Sequence, residues 1–419
     1  MSSRIYSVAI LGCGNRGAEI YGTLFFTRNE QFRIAALCDS NAERLATYGE
    51  RFGVKALFQD EKEFLAEKRA DLLVIATMDA DHVRQCVEGL RLGYDILLEK
   101  PITDKKEELE ALLAAQRKYG GKILVCHVLR YAPGYLKLSE YLDSGVIGRL
   151  VAIQAIEQVA YWHQSHSFVR GNWRCREDTA PMILAKCCHD LDLLQFFAKS
   201  RCESVSSMGD LTYFNAQNAP KGAAERCTLC PLSETCPYSA KKIYIDGWHK
   251  AGCPASDWPY NQLTSEYPLT ENALYKALET GNYGKCVYHC DNNVVDHQLC
   301  NFTFENGVKA SLIMTAFTAD CGRRIRFFGT MGEIIFDEVR DAIIMKPFGG
   351  EPETVKISSL LDKKFGHGGG ELGLMQSLYD MLSGKATSAT SLEASVESHL
   401  MALCAEESRL SGGRLVKVH

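Results

Sequence analysis

Residues 6–17 read Tyr6-Ser7-Val8-Ala9-Ile10-Leu11-Gly12-Cys13-Gly14-Asn15-Arg16-Gly17, and this stretch decides the fold. Its first half is an apolar run with the character of a strand buried on both faces. Its second half fits G-x-G-x-x-G, and a helical pattern follows from Ala18 to about Phe26. Gly12 permits the tight turn, Gly14 lets backbone approach a pyrophosphate, and Gly17 lets helix and strand pack closely. Phosphates would rest on the N–H groups at the helix start, around Asn15 and Arg16. Such a turn also occurs in α/β proteins that bind no nucleotide. The next apolar run, Phe32–Cys38, ends in Asp39, at the distance where a carboxylate meets the ribose hydroxyls of NAD.

Outward from this point, strand and helix signals alternate to about residue 128. Leu72–Ile75, Asp95–Leu98 and Ile123–Val125 read as strands. Asn41–Phe52, Asp60–Glu67, Ala80–Leu92 and Lys105–Tyr119 read as helices, the last with Asp104 as its N-cap. This alternation predicts a parallel sheet wound on both faces, a Rossmann domain over residues 1–128. Gly12, Asp39, Thr77, Lys100 and Arg130 all follow strand ends, so they should meet in one crevice.

Residues 129–419 change character. Short strands at Leu150–Glu157, Glu203–Leu211, Gln298–Phe304, Lys309–Phe317, Arg323–Phe328 and Glu333–Phe336 predict an α+β domain with a largely antiparallel open sheet. Helices are expected at Met182–Lys199, Glu371–Ser383 and Leu392–Leu410. A loop-rich, Cys-rich insertion occupies about residues 212–290.

The 419 residues suffice for about two domains, and 46% hydrophobic with 24% charged content is ordinary for a globular protein. A net charge of −5 argues against nucleic-acid or anionic-membrane partners. The start carries no signal-peptide pattern, so a cytoplasmic location is expected. The 17 cysteines then read as reduced thiols, some of them on a metal.

Two groups carry the chemistry. Glu99-Lys100-Pro101 closes the fifth strand, and Pro101 keeps Lys100 out of helix at the rim of the crevice. Burial and a cationic ring nearby would turn this lysine toward a base; a surface lysine beside a turn is the plainer reading. Lys186, His189 and Asp192 are three apart, so a continuous helix would put them on one face. A histidine between a lysine and a carboxylate can handle a proton; a solvated face with one core histidine is the plainer reading.

At these residues the chain resembles the glucose–fructose oxidoreductase, inositol dehydrogenase and rhizopine-catabolism family, written Gfo/Idh/MocA. The resemblance rests on AILGCGNRG (9–17), ALCDSNAERL (36–45), VIATMDADH (74–82), GYDILLEKPIT (93–103), LRYAPGY (129–135), SGVIGRL (144–150), HDLDLL (189–194) and GHGGGELGLM (366–375). It implies NAD or NADP, hydride transfer at a sugar or cyclitol carbon, and a sheet domain that often mediates homo-oligomers. By the resemblance, Lys100 and His189 match the active-site lysine and histidine. Thr77, Asp79 and His82 match the loop beside the cofactor, with Glu99 at the same rim. Arg130 and Tyr131 match the segment entering the second domain. One departure stands out: many members carry an aspartate four residues before the histidine, and here that position is Ala185, with Lys186 beside it.

That departure keeps open an NAD-dependent glycosidase, which oxidises, eliminates, hydrates and reduces with NAD retained. The stretch Tyr161–Arg176 is compatible with it: Trp162 and Trp173 can stack on a sugar, and His163, His166 and Arg174 can bind hydroxyls or an acidic group. The tryptophans read equally well as core. His367 either reaches the site or is a plain turn residue. Asp39 favours NAD, because a carboxylate repels a 2′-phosphate, while Ser40 and Arg44 leave NADP open. A nucleotide-binding regulator without turnover is the contrasting class.

Cys227-x2-Cys230-x5-Cys236, with Cys253 further on, has the look of a structural zinc site. Unligated thiols and an iron–sulfur cluster are the other readings.

Overall fold

In the computed structural model, which describes residues 4–361 and 367–419, the first six strands form one sheet. They are β1 (Tyr6–Leu11), β2 (Phe32–Cys38), β3 (Leu57–Phe58), β4 (Leu72–Ile75), β5 (Asp95–Leu98) and β6 (Ile123–Val125). Their order is β3-β2-β1-β4-β5-β6, and every pair is parallel. The strand order reverses between β1 and β4, so the crevice lies where β1 ends. Val8–Leu11 of β1 and all of β4 are apolar and buried on both faces, as their sequence runs require.

Local signals explain most helix ends. Asn41 accepts from the N–H of Arg44 at 2.9 Å and caps Ala42–Phe52, which ends at Gly53 with φ 66°. Asp104 does not cap the helix after β5. That helix runs Lys106–Tyr119, and Thr103 Oγ accepts from the N–H of Lys105 at 3.3 Å.

The second sheet has nine strands: β7 (Leu150–Gln158), β8 (Cys202–Asp210), β9 (His297–Phe304), β10 (Lys309–Thr315), β11 (Gly322–Gly329), β12 (Gly332–Asp337), β13 (Ala342–Pro347), β14 (Glu353–Val355) and β15 (Val416–Lys417). Their order is β14-β13-β12-β11-β7-β10-β9-β8-β15, and only β7 and β10 run parallel. The strands without a clear sequence signal, β3 and β13–β15, all lie at or near sheet edges. The insertion falls between β8 and β9 and builds a small core of its own around Tyr244, Trp248, Leu274 and Leu278.

The chain returns to its first domain at the end. Leu374, Met375, Leu378 and Tyr379 of helix Gly370–Leu382 pack with Tyr6, Phe25 and Phe32. Leu392 and Val396 of helix Leu392–Leu410 pack with Ile96, Leu109 and Ile123. The two domains are therefore locked by C-terminal segments rather than joined by a single linker.

The helix expected over Met182–Lys199 is broken. Met182–Ala185 and Cys188–Ala198 are separate helices, with Lys186 and Cys187 in the break. Within the break Lys186 Nζ pairs with Glu157 Oε1 on β7, 2.9 Å away, the partner that a buried ammonium needs. Among the described residues no helix is long and apolar enough to cross a membrane.

Candidate active site

The turn after β1 is shaped for backbone approach. A Cβ on Gly12, at φ 92°, would meet the Ala76 carbonyl oxygen at 2.5 Å, and one on Gly17 would meet the Gly12 carbonyl oxygen at 1.8 Å. A Cβ on Gly14 would meet nothing within 4 Å, so Gly14 faces open space where a pyrophosphate can lie. The helix begins directly there with a π-type turn, Asn15–Gly22. Asp39 closes the other side: its carboxylate accepts from the N–H of Cys13 and of Asn41, each at 2.8 Å, and Arg44 Nη1 lies 3.2 Å from Oδ2. These features fit a nicotinamide dinucleotide.

Arg16 points inward. Its Nε donates to Glu99 Oε1 at 2.8 Å, Nη1 reaches Glu371 Oε1 at 3.2 Å and Nη2 donates to Tyr21 Oη at 2.6 Å. Glu99 also accepts from Tyr21 Oη at 2.6 Å and, through Oε2, from the N–H of Lys100 at 3.0 Å. Burial alone would push Glu99 up, but Arg16, Lys100 and the Tyr21 hydroxyl hold it down at about 2. The Arg16 and Glu99 side chains thus tie the nucleotide turn to the strand that presents Lys100.

The Lys100 segment is clamped further along. His82 Nδ1–H donates to the Pro101 carbonyl at 2.8 Å, and the Ile102 N–H donates to His399 Nε2 at 2.8 Å. Thr77 Oγ donates to Gln85 Oε1 at 2.6 Å, beside the end of β4. Asp79 Oδ2 is buried without a hydrogen-bond partner, an acceptor open to a ligand hydroxyl or amide. Burial raises the Asp79 carboxyl, while His82 and Lys100 pull it back.

The Lys100 charge is felt by two buried histidines, His127 and His399. His127 follows β6 and is fully buried; its ring lies edge-on to His189 at 5.9 Å and to His399 at 5.9 Å. Burial lowers His127, Asp192 opposes this, and Arg130 and Lys100 add to it. His127 is thus a buried ring that touches His189 and whose charged form is disfavoured by burial, Arg130 and Lys100. Neither His127 nor His399 stands out in the sequence. The signal for His127 was its place after a strand end, the same one that marks Lys100.

The expected single face of Lys186, His189 and Asp192 does not form, because the helix breaks after Ala185. Lys186 joins Glu157, which Arg323 Nη2 approaches at 3.1 Å, while Arg323 Nε donates to Asp190 Oδ1 at 2.8 Å. Burial lifts the Asp190 carboxyl to about 7; Arg323 opposes the rise and Glu157 adds to it. Asp192 turns the other way, onto Arg130, with Nε–Oδ2 and Nη2–Oδ1 both 2.6 Å. Arg130 and Asp192 thus meet each other, and Arg130 Nη1 donates to the Ala389 carbonyl at 2.9 Å.

The other expected contacts scatter. Tyr131 Oη sits among Thr390 Oγ1 at 2.9 Å, Ser388 Oγ at 3.2 Å and Ser377 Oγ at 3.3 Å. Trp162 stacks on His163 at 5.5 Å and leans on Trp258 at 5.5 Å, within the insertion core. Burial and then Lys186 push His163 well down, which places this aromatic cluster beside Lys186. His166 accepts from or donates to Tyr244 Oη at 2.9 Å and stacks on Tyr283 at 4.8 Å. Trp173 is 40% exposed, and Arg174 forms a two-pronged pair with Asp291 at 2.9 and 3.2 Å. The side chain of His367 lies outside the described residues.

Among the described residues the expected zinc site is not assembled. Cys253 is exposed, and its Sγ lies 3.4 Å from His249 Nδ1 rather than with the other thiols. Among the described residues no group of three or more His, Cys, Asp or Glu side chains stands at metal-holding geometry. All 17 cysteines are free of disulfides.

Comparison with known proteins agrees with this architecture. Residues 6–127 match the family model described as an oxidoreductase family with an NAD-binding Rossmann fold, and residues 135–227 match its C-terminal domain model. The chain is 24% identical over 388 residues to YteT of Bacillus subtilis, described as an oxidoreductase, covering 86% of this chain and 87% of that one. It is 26% identical over 212 residues to an inositol 2-dehydrogenase of Rubrobacter xylanophilus, covering 50% of this chain and 56% of that one. An Agrobacterium radiobacter oxidoreductase solved with NAD+, L-tartaric acid and magnesium shares the fold, with TM-score 0.71, 15% identity, and 99% and 98% of the two chains covered.

Proposed function

The chain belongs to the Gfo/Idh/MocA oxidoreductase family, and from that premise we propose that it oxidises or reduces a hydroxyl-bearing carbon of a sugar or cyclitol with NAD. This reading is supported by His127, edge-on to His189 and within reach of the Lys100 charge, and by Glu99, which bonds both Arg16 of the nucleotide turn and the Lys100 N–H. Similarity to an inositol 2-dehydrogenase supports a polyhydroxylated substrate.

Gly12, Gly14 and Gly17 would admit the pyrophosphate, Asp39 the adenosine ribose, and Asp79 a polar group near the reacting end. The nicotinamide, when bound, accepts or gives up the hydride. Lys100 and His189 hold the substrate hydroxyl and take its proton, the lysine placed by Glu99 and the His82 clamp. His127 stays neutral and orients this pair. Where relatives have an aspartate, Ala185 leaves room; the Lys186–Glu157 pair lies close by and supplies polar contacts to the sugar. The Trp162–His163–Trp258 cluster forms the apolar wall on that side. Met208, Leu299 and Leu415 are exposed on the nine-stranded sheet, which supports self-association through that face.

The test is a screen of free polyols, cyclitols and nitrophenyl glycosides, with and without added NAD+ or NADP+. Net NADH from a free polyol, lost in Lys100→Met, is the expected result. Nitrophenol release with no net NADH would replace this reading by the NAD-recycling glycosidase.

A further inference from the structure

Arg170 is the largest side chain fully enclosed by the fold, at 1% exposure. Its Nε donates to the Lys285 carbonyl at 2.7 Å and Nη2 to the Tyr238 carbonyl at 2.7 Å, while Nη1 has no partner. Among the described residues no carboxylate pairs with it. A buried guanidinium held only by neutral carbonyls keeps its charge uncompensated, which native interiors avoid. The ionisable groups around it are thiols, the Tyr244 phenol and the His166 imidazole, and none of them is a carboxylate. Nη2 lies 3.6 Å from Cys227 Sγ, and Arg170 acts on Cys236, Cys286 and Cys290 as well.

The backbone gathers these thiols. Arg226 and Lys285 form an isolated antiparallel bridge, and the Cys286 N–H donates to the Glu225 carbonyl at 2.9 Å. Residues 227 and 286 are then diagonal neighbours on one face of the bridge. A turn at Cys227–Leu229 brings Cys230 round, with its N–H donating to the Cys227 carbonyl at 3.3 Å. A second turn returns Cys236, whose N–H donates to the Leu232 carbonyl at 2.9 Å. Cys290 stays outside, its Sγ directed at the Cys286 carbonyl at 3.2 Å.

We propose that Cys227, Cys230, Cys236 and Cys286 bind one zinc ion as four thiolates, with Arg170 as the buried counter-charge. Cys286, not Cys253, completes the set. Binding releases the four thiol protons and leaves a dianionic centre, which supplies the anion that Arg170 lacks. Among the described residues the four thiols do not stand at closed-site spacing, so binding has to draw them together. The centre ties the start of the insertion to its end, the role a metal plays where core is scarce.

The test begins with metal analysis of the full-length protein purified without chelator. About one zinc per chain is expected, with at least a fivefold loss in Cys286→Ser and no change in Cys253→Ser. Zinc retained by Cys286→Ser, iron with acid-labile sulfide in its place, or a metal-free protein would each overturn the proposal. Because Cys286→Ser can fail for reasons of folding, the unaltered protein provides a second measurement. Cys230 and Cys236, half-buried, should resist iodoacetamide until a chelator releases zinc. Equal labelling with and without chelator would overturn the site.

Discussion

Ile102 donates its backbone N–H to His399 Nε2, 2.8 Å away across 297 positions of the chain. The other ring nitrogen bonds the Ser395 carbonyl at 2.8 Å, so Nδ1 carries the proton and Nε2 is the acceptor. The C-terminal helix thereby fixes the residue two places after Lys100. In His399→Phe the Ile102 N–H is left buried and unpaired, at a cost of about 1–3 kcal/mol. Because the Lys100 segment loosens, kcat should fall on the order of 10–100-fold while NAD affinity stays within about twofold. Denaturant melts with steady-state kinetics check this, and an unchanged kcat would count against the clamp.

His166 and His399 also set an acid limit. Burial holds both imidazoles down at about 3; Arg170 adds to this for His166 and His127 for His399. Unfolded histidine titrates near 6.5, so between roughly 6.5 and 3 the unfolded chain binds more protons. The contribution of each neutral histidine is intact above about pH 6.5 and lost as pH falls, at roughly 1 kcal/mol per pH unit. His399→Gln removes one such group. Its stability deficit relative to the unaltered protein should therefore shrink as pH is lowered from about 7 to 5, measured by urea unfolding.

Cofactor choice rests on the Asp39–Arg44 pair. Asp39 holds the guanidinium at 3.2 Å and presents a carboxylate where an adenosine ribose would lie. In Asp39→Asn the repulsion of a 2′-phosphate is gone and Arg44 is released to meet it. The ratio of kcat/KM for NADP+ over NAD+ should rise by at least about tenfold. A further Arg44→Ala should reverse most of that gain.

Lys100→Met and His189→Asn should each lower kcat by about 10²–10⁴-fold, the usual reach of a positioned acid or base. NAD binding followed by fluorescence should survive both. If neither variant loses turnover on a substrate found by the screen, the proton assignment is wrong.

What the sequence made legible was local. The glycine turn, Asp39, five strands of the first sheet and the C-terminal helix all announce themselves through short-range pattern, and they appear where the pattern puts them. Lys186 shows where such reading stops. Helical periodicity through 182–199 is sound, yet the helix is interrupted at Lys186 and Cys187, and Lys186 finds its partner on β7, far away in sequence. Arg130 and Asp192 were each legible as polar residues near a crevice, but nothing in spacing says that they satisfy each other. His127 and His399 come from opposite ends of the chain and acquire meaning only when β6 and the last helix meet. Cys286 stayed hidden for the same reason, since a lone bridge between Arg226 and Lys285 leaves no periodic trace.

Arg130 offers the sharpest separation of structural from nucleotide-binding roles. Besides its two 2.6 Å bonds to Asp192, it donates from Nη1 to the Ala389 carbonyl at 2.9 Å and from Nη2 to Gln195 Oε1 at 2.8 Å, and it covers the Phe196 ring at 5.0 Å. It thus joins the segment after β6, the Cys188–Ala198 helix and the C-terminal return. In Arg130→Met the Asp192 carboxylate is left buried and unpaired, which should cost about 3–5 kcal/mol in denaturant unfolding. Asp192 also lies 3.9 Å from His127 Nε2, and Arg130 now helps keep that ring neutral. With the guanidinium gone, the His127 pKa should rise and the acid limb of the kcat profile should move to higher pH. NAD affinity should change by less than about twofold, since the guanidinium is spent on Asp192. A tenfold or greater loss of NAD affinity with stability and pH profile unmoved would instead return Arg130 to the nucleotide site.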